Sequence, residues 1–192
     1  MPSSLQKDTT PTLQLGEKAP DASVQLADSG EAVALSCFWT QRPTLFVFLR
    51  HFGCPFCVEL VHQLRQAKDQ FIGANVQVAL ITLGTPERTQ NFCQQQRLDA
   101  PFICLSDPTR EAYRAFALGR ASLAQFTTSH VISSAFRAML HKHFSLLPQG
   151  DPFQMPGVFL VDHQGTIRYA HYYNDIADNP TISELQEVIR QL

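Results

Sequence analysis

Two predominantly apolar runs are the most regular feature of the hydrophobic pattern along the chain. Residues 44–49, TLFVFL, show no alternation with polar residues, as expected for a strand that is buried on both faces of a sheet, and residues 76–83 are a second apolar strand. Between them, apolar residues recur at helical spacing from Cys57 onward, and Gly73 stands where that helix should end. The pattern therefore predicts a β-α-β unit with residues 44–49 as a central strand.

The same alternation continues after the second apolar run. Thr85 and Pro86 combine an N-cap with a first-turn proline, which predicts the start of a helix. Residues 102–105 are compatible with a short strand, and Asp107 and Pro108 repeat the cap-then-proline signal for another helix. Strands and helices that follow one another in this way are typical of an α/β fold.

Alternating stretches predict antiparallel strand pairs near both ends of the chain. Residues 22–27 and 31–35 flank a turn signal, which predicts an N-terminal β-hairpin. Residues 157–161 and 166–172 are joined by a hairpin-length connection that ends in glycine, so they should also pair antiparallel. Residues 181–184, TISE, form a capping box that opens a terminal helix.

These elements fit one domain, because a chain of 192 residues has an ordinary domain length and can bury a sizeable core. Residues 1–12 are mostly polar with two prolines and are predicted to be a flexible tail, which leaves residues 13–192 for the domain. About residues 121–147 depart from the alternation and are interpreted as a helical insertion. The expected architecture is a mixed central sheet flanked by helices.

Composition and charge narrow the functional classes. A hydrophobic fraction of 44% and a charged fraction of 17% are those of a globular protein. A net charge of −2 favours neither nucleic acid nor an anionic membrane as a partner. The first twenty residues contain no apolar segment of the kind found in secretory signals or membrane spans, so we expect a cytoplasmic protein.

The strongest chemical motif is a Cys-x-x-Cys tetrad, Cys54-Pro55-Phe56-Cys57, at the predicted start of the first long helix. Cysteines at this spacing lie about one turn apart on one side of a helix, where they can form a disulfide. The unpaired N–H groups of a first turn favour a thiolate, and cysteines so placed have pKa values of roughly 3.5 to 7.5. Pro55 suits the first helical position because that position needs no N–H, and Phe56 offers an apolar surface beside the sulfurs. The tetrad predicts a thiol-disulfide oxidoreductase.

Arg50 and His51, which precede the tetrad, stand at the carboxyl end of the central strand, where ligands bind in α/β sheets. Arg50 is a candidate for adding positive potential near a thiolate, whereas His51 is interpreted as an exposed, solvated residue.

A zinc site is the main alternative interpretation of the tetrad, because Cys-x-x-Cys is also half of such a site. The sequence offers no second Cys-x-x-Cys and no suitably spaced histidine pair, so no metal is expected. Cys37, Cys93 and Cys104 each stand alone and are interpreted as small hydrophobic residues. Cys93 and Cys104 remain candidates for a resolving thiol.

Four segments together resemble a known family. The chain is similar to the peroxiredoxin-like AhpC/TSA proteins, and within them to the selenoprotein U-like branch that carries a Cys-x-x-Cys site. The segments are residues 15–21 (LGEKAPD), 50–57 (RHFGCPFC), 107–116 (DP and YRAF) and 157–171 (GVFLVD and IRYAH).

The resemblance implies a thioredoxin fold with an N-terminal hairpin extension. It also implies that Pro156 occupies the position of the cis-proline that lies against the active disulfide. Typical peroxiredoxins carry a threonine three residues before the peroxide-attacking cysteine and an arginine near a later strand. When the chain is aligned with the family without gaps from residues 46–48, Cys57 falls at the attacking position and Cys54 at the threonine, and Pro156 fills the arginine position. Arg50 is then the possible substitute for these two residues. Disulfide exchange is therefore better supported than peroxide reduction.

The expected activity is therefore reduction of protein disulfides or hydroperoxides through a reversible Cys54–Cys57 disulfide, as in an antioxidant protein. By analogy with thioredoxins Cys54 attacks a disulfide and Cys57 resolves, whereas by analogy with peroxiredoxins Cys57 attacks a peroxide and Cys54 resolves. The stabilisation of a thiolate at a helix N-terminus favours Cys54 as the nucleophile. The disulfide needs an external reductant of the thioredoxin or glutathione type, and no bound cofactor is required. The alternative function is that of a non-enzymatic interaction protein on the same fold, and a homodimer is compatible with either function.

Overall fold

The computed structural model describes residues 11–120, 153–175 and 177–192. Within these ranges one seven-stranded sheet is flanked by helices. The strands are β1 (Ser23–Leu26), β2 (Ala32–Ala34), β3 (Thr44–Phe48), β4 (Gln77–Thr82), β5 (Phe102–Ser106), β6 (Gly157–Val161) and β7 (Ile167–Tyr172). The helices are α1 (Ser36–Trp39), α2 (Pro55–Gln66), α3 (Lys68–Gly73), α4 (Pro86–Gln95), α5 (Glu111–Ala115) and α6 (Ile182–Ile189).

The sheet is mixed, with the strand order β2-β1-β5-β4-β3-β6-β7. Strands β3, β4 and β5 pair parallel, as the helical crossovers between them require. The pairs β1–β2, β1–β5, β3–β6 and β6–β7 are antiparallel. The predicted α/β class, the mixed sheet and both antiparallel pairs are confirmed.

The core has two layers because β3 and β4 are buried on both faces. Along β3, Leu45 and Val47 belong to the apolar cluster under α2, α4 and α6, while Phe46 and Phe48 belong to the cluster under α1 and α5. Successive side chains of a strand point to opposite faces, so an unbroken apolar run is what a two-sided burial needs. The layer under α2 is the one that contains the tetrad.

The predicted helix from Cys57 to Gly73 is divided in two at Ala67. The backbone of Ala67, at φ −90° and ψ 6°, leaves the helical region, so α2 ends at Gln66 and α3 begins at Lys68. The apolar spacing continues through the break, because Leu64 and Phe71 are both buried in the same layer. The pattern predicted the buried face correctly and carried no sign of the break.

The helix predicted directly after Asp107 and Pro108 begins later. Arg110, at φ 61°, turns the chain first, and α5 starts at Glu111. The Asp107 carboxylate still caps it, since it accepts hydrogen bonds at 2.9–3.2 Å from the N–H groups of Glu111, Ala112 and Tyr113. Asp107 therefore caps the helix from four residues upstream rather than from the N-cap position.

The terminal helix keeps half of its predicted capping box. Thr181 accepts a hydrogen bond from the N–H of Glu184 at 3.2 Å. The Glu184 side chain does not accept the N–H of Thr181, as a full capping box would require. It accepts a hydrogen bond from the hydroxyl of Tyr169 at 2.7 Å instead.

The predicted insertion at about residues 121–147 and most of the predicted tail lie outside the described residues. In the part of the chain that the structure describes, no helix has the length and apolar character needed to cross a membrane.

Candidate active site

The tetrad lies where β3 gives way to α2. Residues 49–53 connect them, Cys54 is the N-cap residue with extended backbone, and Pro55 is the first residue of the helix. The N–H of Cys54 donates to the carbonyl of His51 at 3.1 Å, and the carbonyl of Cys54 accepts from the N–H of Val58 at 3.1 Å. The two sulfurs thus sit at the helix start, as the Cys-x-x-Cys spacing and Pro55 predict.

Arg50 contacts both cysteines of the tetrad. Its guanidinium Nη1 lies 3.4 Å from Cys54 Sγ, and its backbone N lies 3.5 Å from Cys57 Sγ. Its Nε donates to the carbonyl of Gln154 at 3.2 Å, which fixes the direction of the side chain. Because Arg50 is only 3% exposed, its charge acts on the sulfurs with little screening by water.

The two sulfurs differ in protonation. The pKa of Cys54 is lowered to about 6, mainly by a hydrogen bond from the Cys57 thiol, with a smaller contribution from the charge of Arg50 and against the opposing effect of burial. The pKa of Cys57 is raised, because its proton is held in the hydrogen bond to Cys54 and because the thiol is buried. At pH 7 the pair is a thiolate at Cys54 beside a thiol at Cys57.

Three residues that were not identified from the sequence as site residues hold the backbone at or beside the tetrad through hydrogen bonds. The buried hydroxyl of Tyr113 donates to the carbonyl of Leu49 and lies 2.9 Å from that of Ile81, at the carboxyl ends of β3 and β4. Asn179 Nδ2 donates to the carbonyl of Phe56 at 2.9 Å, and Tyr173 in turn donates to Asn179 at 3.0 Å.

The sequence carried a signal for only one of these supports. Tyr113 belongs to one of the segments on which the family resemblance rests. Asn179 lies 123 residues from Phe56 in the chain and belongs to no motif.

The expectation that His51 is exposed and solvated is wrong. Its side chain is half-buried, and its Nδ1 is inaccessible to water with no hydrogen-bond partner among the described residues. The pKa of His51 is lowered to about 4 by burial first and by the charge of Arg50 second. The imidazole is therefore neutral at pH 7, because burial disfavours its charged form and the neighbouring guanidinium disfavours it further.

Pro156 directly precedes β6 and does not follow a cis peptide bond. It is buried directly before β6, whose first residue, Gly157, pairs with Phe48 at the end of β3. Among the described residues the cis peptide bond is Ala100–Pro101, so Met155–Pro156 is trans. The expectation of a cis-proline at Pro156 is corrected.

The remaining cysteines also differ from their interpretation as small hydrophobic residues. Cys93 and Cys104 form a disulfide, with their Cα atoms 6.7 Å apart. Cys37 is a free thiol on the surface. In the described ranges no group of three or more histidine, cysteine or acidic side chains is arranged to hold a metal ion.

Comparison with known proteins identifies the family. The model of the AhpC/TSA family matches residues 15–170. The chain belongs to the AhpC/TSA family. Members of this family are thiol-dependent oxidoreductases. The family resemblance is confirmed at this level, whereas the selenoprotein U-like branch stays a prediction.

Two curated relatives of this family member are recognisable over most of its length. Peroxiredoxin-like 2C from Bos taurus is 27% identical over 172 residues, which cover 84% of this chain and 74% of the relative. Prostamide/prostaglandin F synthase from Xenopus laevis is 25% identical over 169 residues, which cover 82% of this chain and 79% of the relative.

The solved structures confirm the fold. The crystal structure of peroxiredoxin 5 from Alvinella pompejana superposes with a TM-score of 0.68 at 14% identity, covering 94% of this chain and 99% of that chain. The predicted thioredoxin-like fold is therefore correct.

Proposed function

We propose that this AhpC/TSA family member is a thiol-dependent oxidoreductase in which Cys54 attacks the oxidant and Cys57 resolves the product. The observation that carries the proposal is the position of Cys54, which caps the start of α2 with the Arg50 guanidinium 3.4 Å from its sulfur. Cys54, beside Arg50, has its pKa lowered to about 6, and Cys57 keeps its proton. A nucleophilic thiolate and a resolving thiol one helical turn away are the two groups that a reversible dithiol reaction needs.

With a hydroperoxide, the Cys54 thiolate attacks the terminal oxygen and the O–O bond breaks. The alkoxide takes up a proton and leaves as the alcohol, while Cys54 becomes a sulfenic acid. Cys57, as its thiolate, then attacks the Cys54 sulfur, and water leaves as the Cys54–Cys57 disulfide forms. Two electrons have passed from the two thiols to the peroxide.

The order of attack follows the thioredoxin analogy rather than the peroxiredoxin analogy. An initial attack by Cys57 would require its thiolate, which burial and the hydrogen bond to Cys54 disfavour. Once Cys54 has lost its negative charge by oxidation, that hydrogen bond to a thiolate no longer exists, and Cys57 can release its proton more easily.

Burial of the tetrad favours small oxidants over folded protein disulfides. Cys54 is 1% exposed and Cys57 is 5% exposed, so a protein disulfide cannot reach the sulfur without a local opening. The Arg50 guanidinium beside Cys54 Sγ is placed to donate to a peroxide oxygen as well. We therefore place hydroperoxides and low-molecular-weight disulfides first among the substrates, which reverses the preference drawn from the sequence.

Return to the dithiol requires an external thiol reductant. Its thiolate attacks one sulfur of the Cys54–Cys57 disulfide, and a second thiol completes the exchange. A glutathione-type donor can supply both electrons at the buried disulfide directly, whereas a thioredoxin-type donor needs the same local opening as a protein disulfide; no bound cofactor takes part in either half-reaction.

Reciprocal serine variants test the order of attack. In a Cys37→Ser background, which removes the exposed thiol, Cys57→Ser should form a Cys54 sulfenic acid with one equivalent of hydrogen peroxide, trapped by dimedone and located by mass spectrometry. Cys54→Ser should form none and should lose turnover with dithiothreitol as the reductant. Dimedone labelling of Cys57 in Cys54→Ser, with no labelling of Cys54 in Cys57→Ser, would reverse the two roles.

Stopped-flow measurements test the substrate class. The Cys37→Ser protein should be oxidised by hydrogen peroxide or cumene hydroperoxide much faster than free cysteine at pH 7, and it should reduce insulin only slowly. Failure of Cys54 and Cys57 to form a disulfide at any glutathione ratio would instead favour the non-enzymatic interaction protein.

A further inference from the structure

A second cysteine pair lies outside the tetrad. Cys93, on the buried side of α4, is bonded to Cys104 on β5, eleven positions along the chain. The proposed reaction of the tetrad uses neither residue.

The pair borders a cavity that solvent can enter. Both cysteines line a cavity of about 260 Å³ whose wall includes the exposed side chains of Asp28 and Gln94. Cys93 is 3% exposed, whereas Cys104 is half-buried. A thiol reductant entering the cavity can therefore approach the Cys104 sulfur, and accessible disulfides are the ones that exchange most readily.

The chain between the two cysteines is held by bonds that do not involve sulfur. The N–H of Leu98 donates to the carbonyl of Cys93 at 3.1 Å, and the N–H of Phe102 donates to the carbonyl of Asp99 at 3.1 Å. Arg65 donates to the carbonyl of Gln96 at 3.0 Å, which ties the same segment to α2. These hydrogen bonds keep the two thiols near each other after the disulfide opens, so that it can form again.

A chain of aromatic contacts connects this pair to the tetrad. Phe92, next to Cys93, packs on Phe52 with ring centroids 5.2 Å apart. The Phe52 ring also lies against Gly84, where an added Cβ would come within 2.4 Å of it. Phe52 precedes Cys54 by two residues, so the position of α4 bears on the loop that carries the thiolate.

We propose that Cys93–Cys104 is a second redox-active disulfide, reduced by a small thiol at this cavity, and that its state alters the reactivity of Cys54 through Phe92 and Phe52. The reductant's thiolate attacks Cys104 Sγ, the S–S bond breaks, and Cys93 leaves as a thiolate that takes up a proton. A second thiol then attacks the mixed disulfide, which releases reduced Cys104 and the oxidised reductant. This site does not depend on the activity proposed for the tetrad.

Reduction of the pair is measured without the tetrad. The full chain carrying Cys37→Ser, Cys54→Ser and Cys57→Ser retains only Cys93 and Cys104 as cysteines. Glutathione buffers of varied ratio, followed by alkylation and intact-mass analysis under native conditions, should convert the protein reversibly between no and two alkylated thiols. Release of the thiols only in urea, or two free thiols in every oxidising buffer, would overturn the proposal.

The effect of the second pair on the tetrad, here called the transmission, is measured by the rate at which iodoacetamide alkylates Cys54. We expect Cys93→Ser/Cys104→Ser in the Cys37→Ser background to change this rate at least threefold at pH 7, and Phe52→Leu to remove most of the difference. Equal rates with and without the second pair would overturn the transmission.

Hydrogen exchange repeats the test in a chain that keeps both cysteines. In the triple serine variant, the amides of α4 should exchange faster in the reduced form than in the oxidised form, with α6 as the internal reference. Equal exchange of α4 in both forms would also overturn the transmission.

Discussion

The tetrad and the Cys93–Cys104 pair lie in the same apolar layer of the protein, yet their surroundings differ in ways that matter for sulfur chemistry. Cys54 caps the start of α2, where unpaired N–H groups and the positive end of the helix dipole favour a thiolate. Cys93 lies near the end of α4, which closes at Gln95, where the dipole has the opposite sign. The same residue type thus meets opposite backbone fields.

The side chains reinforce the difference. Arg50 places its guanidinium against Cys54, whereas the described residues that line the cavity at Cys93 include Asp28 and no lysine or arginine. Position relative to a helix terminus, together with the nearest charge, thus favours a thiolate at Cys54 and not at Cys93. Burial alone does not distinguish them, because Cys54, Cys57 and Cys93 are all buried.

The largest expected effect is that of removing the Tyr113 hydroxyl, which contacts the strand ends next to the tetrad. Tyr113→Phe removes the hydroxyl that contacts the buried carbonyls of Leu49 and Ile81, so we expect a loss of about 2 kcal/mol in the free energy of unfolding. Urea denaturation measures it, with Tyr172→Phe as the partly buried control and a smaller expected loss. The rate of Cys54 alkylation should also change, whereas the rate at which a thiol reduces Cys93–Cys104 should not. Equal changes in both rates would contradict the difference between the two pairs.

The pH dependence of alkylation sharpens the comparison next. Because the pKa of Cys54 is lowered to about 6, its thiolate is mostly lost at pH 5 and mostly present at pH 7. Its alkylation rate should rise roughly tenfold over that range and then level off, whereas a free thiol with a pKa of about 8.5 continues to rise. Site-resolved mass spectrometry measures both cysteine pairs, and a profile for reduced Cys93 as flat above pH 7 as that of Cys54 would contradict the helix-terminus argument.

The contribution of the cation is smaller. Arg50→Met should raise the pKa of Cys54 and lower its alkylation rate at pH 6 by about fivefold, because the hydrogen bond from Cys57 remains. Arg50→Lys keeps the charge and should lower the rate by less than about twofold. Circular dichroism checks that both variants fold, and an Arg50→Met rate equal to that of the unsubstituted protein would remove Arg50 from the account.

Local patterns predicted the parts of the molecule that depend on neighbours in sequence. The apolar runs identified β3 and β4, and the alternating stretches identified both antiparallel pairs. Pro55 and the Cys-x-x-Cys spacing placed the tetrad at a helix start, because both signals act within one turn. The burial of His51 and the late start of α5 could not be predicted in this way, since each depends on packing against distant elements.

By itself, the sequence determined the α/β architecture, the family, and which two sulfurs stand at the first turn of α2. Only the tertiary structure decided how those sulfurs are charged, because the pKa of Cys54 is lowered first by the hydrogen bond from the buried Cys57 thiol and then by Arg50, which is held in place by the carbonyl of Gln154, 104 residues away. It also decided that Cys93 and Cys104 are bonded, since the packing of α4 against β5 brings them together. Hydrophobic periodicity specifies which face of an element is buried, whereas the partner it meets there is set by the packing of the whole chain.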